Sequence, residues 1–170
     1  MVCRISEIEE KIDMREFLLN EDVTGTAYIE LIRFLAKRSE YIMFVITIKD
    51  YINEHGNFVI KKLASLGGKT SQVDNWPGTT SLDGSTATAC IIPMSGPLVE
   101  LIATINTSLF SWKLPNFPED PCFFRSDTSV LFSSTTHEDF ATINMTEDDQ
   151  QAWMENEFLK KVQIVAETTT

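Results

Sequence analysis

Tyr41-Ile-Met-Phe-Val-Ile-Thr-Ile48 is the stretch that decides the fold. Its apolar character is continuous rather than alternating, as in a strand that lies centrally in a sheet and is covered on both faces. It is far too short to cross a bilayer, which takes about 20 apolar residues. Upstream, residues 26–38 place Ile29, Ile32 and Ala36 at helical spacing, with Tyr28, Leu31 and Leu35 beside them. Downstream, Asp50 suits the N-cap of a second helix over 51–66, with Ile52, Val59, Leu63 and Leu66 on one face and Gly56 weakening its middle. Gly67-Gly68 supplies a left-handed cap. Residues 69–75 are polar and strand-like, suited to a sheet edge, and Thr86 to Pro93 reads as another strand.

Gly96-Pro97 opens a third helix, whose buried stripe is Leu98, Leu101, Ile102, Ile105 and Leu109. A loop holding Pro115, Pro118 and Pro121 leads to three short strands at 122–126, 130–135 and 139–144. Thr146 caps a last helix, with Glu147, Asp148 and Asp149 at its positive end and Met154, Phe158, Val162 and Val165 as its packing face. A short amphipathic segment at 5–19 precedes everything. The central order of strand, helix, strand, strand, helix, strand predicts an α+β fold with a ferredoxin-like (βαββαβ) core. Additional antiparallel strands and flanking N- and C-terminal helices decorate it. Residues 1–170 read as a single domain, since no composition break marks a linker.

Charge is lopsided. Residues 1–66 hold nine Lys/Arg against eleven Asp/Glu, whereas 67–170 hold five against fourteen, so nearly all of the net −11 sits in the C-terminal part. That distribution repels nucleic acid and anionic lipid, and the basic doublets Lys37-Arg38, Lys61-Lys62 and Lys160-Lys161 form no aromatic-interleaved stripe. It attracts a basic protein. No signal-like apolar region opens the chain, and three widely spaced cysteines (Cys3, Cys90, Cys122) suggest reduced thiols and a cytoplasmic setting.

Candidate chemistry is sparse. Gly67-Gly-Lys-Thr-Ser71 leaves a helix instead of opening one and has Leu63 where a phosphate-binding loop needs glycine. Cys122 and His137, with Glu138 or Asp139 nearby, are the one conceivable thiol–imidazole centre. Set against it is a structural Cys122 beside Phe123-Phe124 at a strand start. Glu119-Asp120 and Glu138-Asp139 are paired carboxylates of the kind a hydrolase uses, or simply solvated strand edges. His137 and Asp139 alone do not make a metal site, and no cofactor is expected. Trp76 and Trp112 each open a loop, where aromatics either seal the core or meet a partner. The candidate partner-binding set is therefore Trp76, Trp112, Glu119, Asp120, Glu138 and Asp139, and the function expected is a non-catalytic module, immunity-protein-like or antitoxin-like, that holds a basic protein. A small enzyme using Cys122, His137 and Glu138, or a carboxylate-based hydrolase, is the alternative. The sequence does not set the oligomeric state.

Asn75-Trp-Pro-Gly-Thr79, Trp112-Lys-Leu-Pro115, Phe117-Pro-Glu-Asp-Pro-Cys-Phe-Phe-Arg125 and Leu131-Phe-Ser-Ser-Thr-Thr-His-Glu-Asp139 together carry a family pattern. They resemble a group of small bacterial proteins of unknown function, some bearing the automated label "stage III sporulation protein AH". The resemblance covers mostly residues 75–145. It implies a bacterial cytoplasmic origin and supplies no catalytic residues. A genuine protein of that name is anchored in a membrane and builds a ring between two membranes, and that role is not implied for this chain.

Overall fold

A computed structural model describes residues 14–80 and 84–166. Strand β1 (Arg15–Leu19) leads into helix α1 (Gly25–Ala36), strand β2 (Tyr41–Ile46), helix α2 (Glu54–Ala64) and strand β3 (Lys69–Val73). A small hairpin, β4 (Asn75–Trp76) and β5 (Thr79–Thr80), precedes β6 (Ala87–Pro93) and α3 (Gly96–Ile105). Three consecutive strands follow: β7 (Glu119–Phe124), β8 (Val130–Thr135) and β9 (Phe140–Met145). Helix α4 (Glu147–Glu155) and strand β10 (Val165–Ala166) complete the described order. The fold is α+β, and eight strands form one sheet in the order β10-β1-β9-β8-β7-β2-β6-β3. Every neighbouring pair among them is antiparallel.

The position of β2 explains its composition. Ile42 and Phe44 point into the main core, to which all four described helices contribute through residues such as Leu31, Leu63, Leu98 and Trp153. Met43 and Val45 point the other way, into a smaller cluster with Ala87, Ala89 and Cys122 that Trp76 packs against. A strand buried on both sides has no polar register to keep, hence the unbroken apolar run. β3 pairs only with β6, and its residues 69–72 are exposed, as an edge strand requires.

Several expected boundaries shift, each for a local reason. The segment 5–19 is not a helix where it can be described: residues 15–19 form β1, held along its length by β9, and residues 5–13 lie outside the described residues. Helix α2 starts at Glu54 because Asn53, not Asp50, caps it. The Asn53 side chain accepts from Gly56 N at 2.8 Å, while Asp50 sits in a 3-10 turn over Lys49–Tyr51. Gly67, at φ +93°, takes the left-handed position after α2. Thr146 and Asp149 close a reciprocal capping box at the start of α4. Of the packing face expected for that helix only Val162 reaches the core, partly buried and beyond the helix end. Met154, Phe158 and Val165 are exposed, and Asp149 and Trp153, one turn apart, face inward. Asn156 ends the helix by accepting from the Phe158 and Leu159 N–H groups, which breaks the 3.6-residue period.

The antiparallel registers bring the C-terminal ends of β1, β2, β3 and β8 and the N-terminal ends of β6, β7 and β9 to one edge of the sheet. Loops leaving that edge carry most of the sequence-derived candidate residues.

Candidate functional site: an acidic cleft at one end of the sheet

At this edge an open cleft of about 670 Å³ lies between the β4–β5 hairpin and the turn joining β8 to β9. Its walls include Thr47, Trp76, Thr79, Thr80, Asp120, Thr135, His137 and Glu138. The hairpin is positioned by its sequence. Pro77-Gly78 makes the turn, with Gly78 at φ +86°, and a Cβ on Gly78 would come within 2.8 Å of Thr135 Oγ1. Only glycine lets the turn lie this close to β8. Trp76 then reaches across and donates its indole N–H to Asp120 Oδ2 at 2.9 Å.

Asp120 is 2% exposed and has φ +50°. Its second oxygen, Oδ1, accepts from Thr136 N at 2.8 Å and lies 2.9 Å from Thr136 Oγ1. Three short contacts from two separate loops thus fix this carboxylate at the cleft floor. Glu119 is wholly buried. The Thr47 hydroxyl donates to its Oε2, and the imidazole Nε2 of His137 abuts its Oε1. His137 itself is well exposed, so a surface imidazole is backed by an interior carboxyl group. Glu138 is exposed on the cleft wall. Asp139 is exposed too, in the left-handed region at φ +50°, and pairs with Lys113 at 2.6 Å. No Lys or Arg is among the described residues that line the cleft.

The sequence-derived set therefore divides. Trp76, Asp120, His137 and Glu138 meet around the cleft, with Glu119 directly behind. Trp112 does not join them: it is fully buried, donates to Tyr28 Oη at 2.9 Å and packs on Phe44, so it seals the core and offers no surface to a partner. Glu119 and Asp120 are likewise interior rather than on a solvated strand edge: the chain supplies donors to both Asp120 oxygens and to Glu119 Oε2, while Glu119 Oε1 accepts no hydrogen bond. Cys122 and His137 share no hydrogen bond. The Cys122 thiol is buried, sits 3.3 Å from its acceptor Asp120 O, and is pushed up to about 12 by burial, which keeps it a thiol and not a thiolate at neutral pH. Among the described residues no group of three His, Cys, Asp or Glu is arranged to hold a metal ion. The hydroxyl-bearing residues Thr47, Thr79, Thr80 and Thr135 escaped the sequence reading because no motif spacing links them.

The acidic residues of the C-terminal part do not form one continuous face. Glu138 and Asp139 precede β9, whereas Glu147 and Asp148 follow it, which separates them by roughly 20 Å of strand. Asp149 is buried and ion-paired to Arg38 and Arg125 at 2.6 and 2.8 Å. No described helix is long and apolar enough to cross a membrane.

Comparison with known proteins finds no matching family model, no similar curated protein and no similar solved structure. The resemblance noted above rests on its motif residues alone.

Proposed function

We propose that this chain is a non-catalytic binding module, in the manner of an immunity protein or antitoxin-like regulator, and that the cleft receives a cationic side chain from a basic protein partner. One observation carries the reading: Asp120 and Glu138 line the cleft, Glu119 stands behind them, and no Lys or Arg is among the described lining residues. A guanidinium or ammonium group entering there meets the exposed Glu138 carboxylate directly, while the interior Asp120 and Glu119 act on it only at a distance, through the field of the cleft wall. The net charge of −11 adds long-range steering of a basic partner. Free Cys90 and Cys122 suit a cytoplasmic setting. The spatial run β7-β2-β6-β3, in which each helical crossover joins strands separated by one antiparallel neighbour, supports a ferredoxin-like core as the scaffold.

The test is calorimetric titration with a tetra-arginine peptide across 20–300 mM NaCl. Glu138→Gln removes one charge at the cleft and Glu147→Gln removes one beyond the far end of β9. A cleft contact at about 4 Å is worth on the order of 1 kcal/mol, so Glu138→Gln should weaken binding about fivefold and Glu147→Gln less than twofold. Equal effects would mean that only overall charge is read, and the cleft would lose its role.

The Glu119–His137 pair supports a second reading, a hydrolase in which the buried carboxyl orients His137 as a general base for water. It requires no thiol. Turnover of a panel of ester and amide substrates that vanishes in His137→Gln would favour it over the binding module.

A further inference from the structure

We infer that the cation read by the cleft is a guanidinium, so that the partner's contact residue is arginine and not lysine. This rests on the binding reading above and adds the identity of the group recognised. The hydrogens of the wall point inward. Thr47 donates its hydroxyl hydrogen to Glu119, and Trp76 donates its indole N–H to Asp120. Thr135 directs its hydroxyl hydrogen to Gly78 O at 3.5 Å, and His137 turns Nε2 to Glu119. Thr47 and Thr135 are only partly buried, and with their hydrogens committed they offer the cleft oxygen lone pairs. Glu138 adds an exposed carboxylate. A ligand rich in acceptors, such as a phosphate, is poorly matched here. The matching ligand brings the hydrogens itself.

Charge narrows the choice to a cation. Glu119 is wholly buried behind the wall, and its Oε1 accepts no hydrogen bond, so negative potential there stands unanswered by the chain. Spacing then separates the two cations that proteins carry. Thr47 follows the end of β2, Thr135 ends β8, and β7 lies between those strands. Two sheet intervals set the strand ends about 10 Å apart. A single ammonium nitrogen making contacts of about 2.8 Å on either side spans under about 6 Å. A guanidinium spreads five N–H groups over three nitrogens in one plane, and so serves acceptors on separate walls together with the Glu138 carboxylate. A metal ion is more compact still, and among the described residues no group of three His, Cys, Asp or Glu is arranged to hold one.

The experiment compares three acetylated, amidated peptides by calorimetry at 50 mM NaCl: tetra-arginine, tetra-lysine and tetra-citrulline. Citrulline keeps a planar N–H-bearing group but loses the charge. Tetra-arginine should bind about tenfold more tightly than tetra-lysine, the weight of one charge-assisted hydrogen bond, and tetra-citrulline should not bind measurably. Thr135→Val should cut the arginine-to-lysine ratio to about twofold, whereas Thr135→Ser, which keeps the hydroxyl, should retain it. Either variant loses at most the long contact to Gly78 O, so the parent melting temperature should be kept, and it is measured alongside. Glu138→Gln should weaken both cationic peptides and leave their ratio unchanged. Equal binding of the arginine and lysine peptides, both weakened by Glu138→Gln, overturns the guanidinium assignment and leaves the cleft reading standing. A ratio that survives in Thr135→Val also overturns the assignment. Failure of both cationic peptides to bind, or citrulline binding as well as arginine, overturns both readings. Agmatine, a free guanidinium compound, binding as tightly as tetra-arginine would make the occupant a small molecule and overturn the partner's arginine.

Discussion

Replacing Asp149 with Asn should cost about 2–4 kcal/mol of stability, and the figure follows from what surrounds that carboxylate. Asp149 Oδ1 accepts from Arg38 Nε at 2.6 Å, and Oδ2 accepts from Arg125 Nη2 at 2.8 Å and Thr146 N at 3.1 Å. Arg38 also donates to Phe34 O and lies 3.8 Å over the Phe34 ring, and Arg125 donates to Asn144 O. One charge therefore ties together the end of α1, the segment after β7, the end of β9 and the first turn of α4. Removing one member of a buried pair typically costs 3–5 kcal/mol, because the opposite charge is left without compensation. Here the two arginine side chains keep about a fifth of their surface in water, which moves the expectation toward and below the lower end of that range. Burial pushes the Asp149 carboxyl up, but the hydrogen bonds from Arg125, Arg38 and Thr146 outweigh it and hold the group below its ordinary value. A carboxyl lowered in the folded state stabilises fully above its unfolded value, near 4, and that contribution fades as pH falls through the lowered folded value. Urea unfolding of both proteins from pH 7 to pH 2 is the assay. The gap between wild type and Asp149→Asn should be full at pH 7 and close in acid, with the urea slope unchanged. A difference under 0.5 kcal/mol at neutral pH, or a gap that persists unchanged at pH 2, would refute this account of the clasp.

Gly56→Ala should destabilise the fold by roughly 1–3 kcal/mol in the same unfolding assay even though alanine favours helices, because the added methyl meets the Pro115 carbonyl oxygen and Ile52. Trp112→Phe keeps an aromatic ring in the core but removes the donor to the buried Tyr28 hydroxyl, so a loss of about 1–3 kcal/mol is expected in thermal unfolding. Cys122 should resist iodoacetamide at pH 8 in the native protein and react once urea unfolds it, read peptide by peptide by mass spectrometry; rapid native alkylation would mean that the thiol is neither buried nor held up to about 12.

How far the chain could be read in advance depended on whether the forces were local. Tyr41 to Ile46 was legible because burial on two faces writes itself directly into composition, and Lys69 to Gln72 because an edge strand keeps polar side chains. The start of α4 was legible from Thr146 because the cap and its partner lie three residues apart. Its packing face was not, since Asn156 stops the helix before the apolar residues that continue the pattern. Asp50 and Asn53 were both competent caps. The choice fell to Asn53, which is also tied to Asn116, 63 residues away. The acids at the cleft were misread for the same reason. Glu119-Asp120 looks like a solvated strand edge until Thr47, Trp76, Thr136 and His137 converge on it from other parts of the chain.

Among the described residues, buried Asp149 on one side and buried Glu119 and Asp120 on the other are surrounded in opposite ways, and the contrast bears on function. Asp149 is met by two guanidinium groups from its own chain, so its charge is fully answered inside the fold. Glu119 and Asp120 meet only hydroxyls, an indole and a backbone N–H as hydrogen-bond donors; the His137 imidazole abuts Glu119 Oε1, which accepts no hydrogen bond. Burying carboxylates against neutral donors is a poor way to gain stability when apolar residues of similar size would serve. Local rules broken at one end of an otherwise consistent fold are where function is expected to lie.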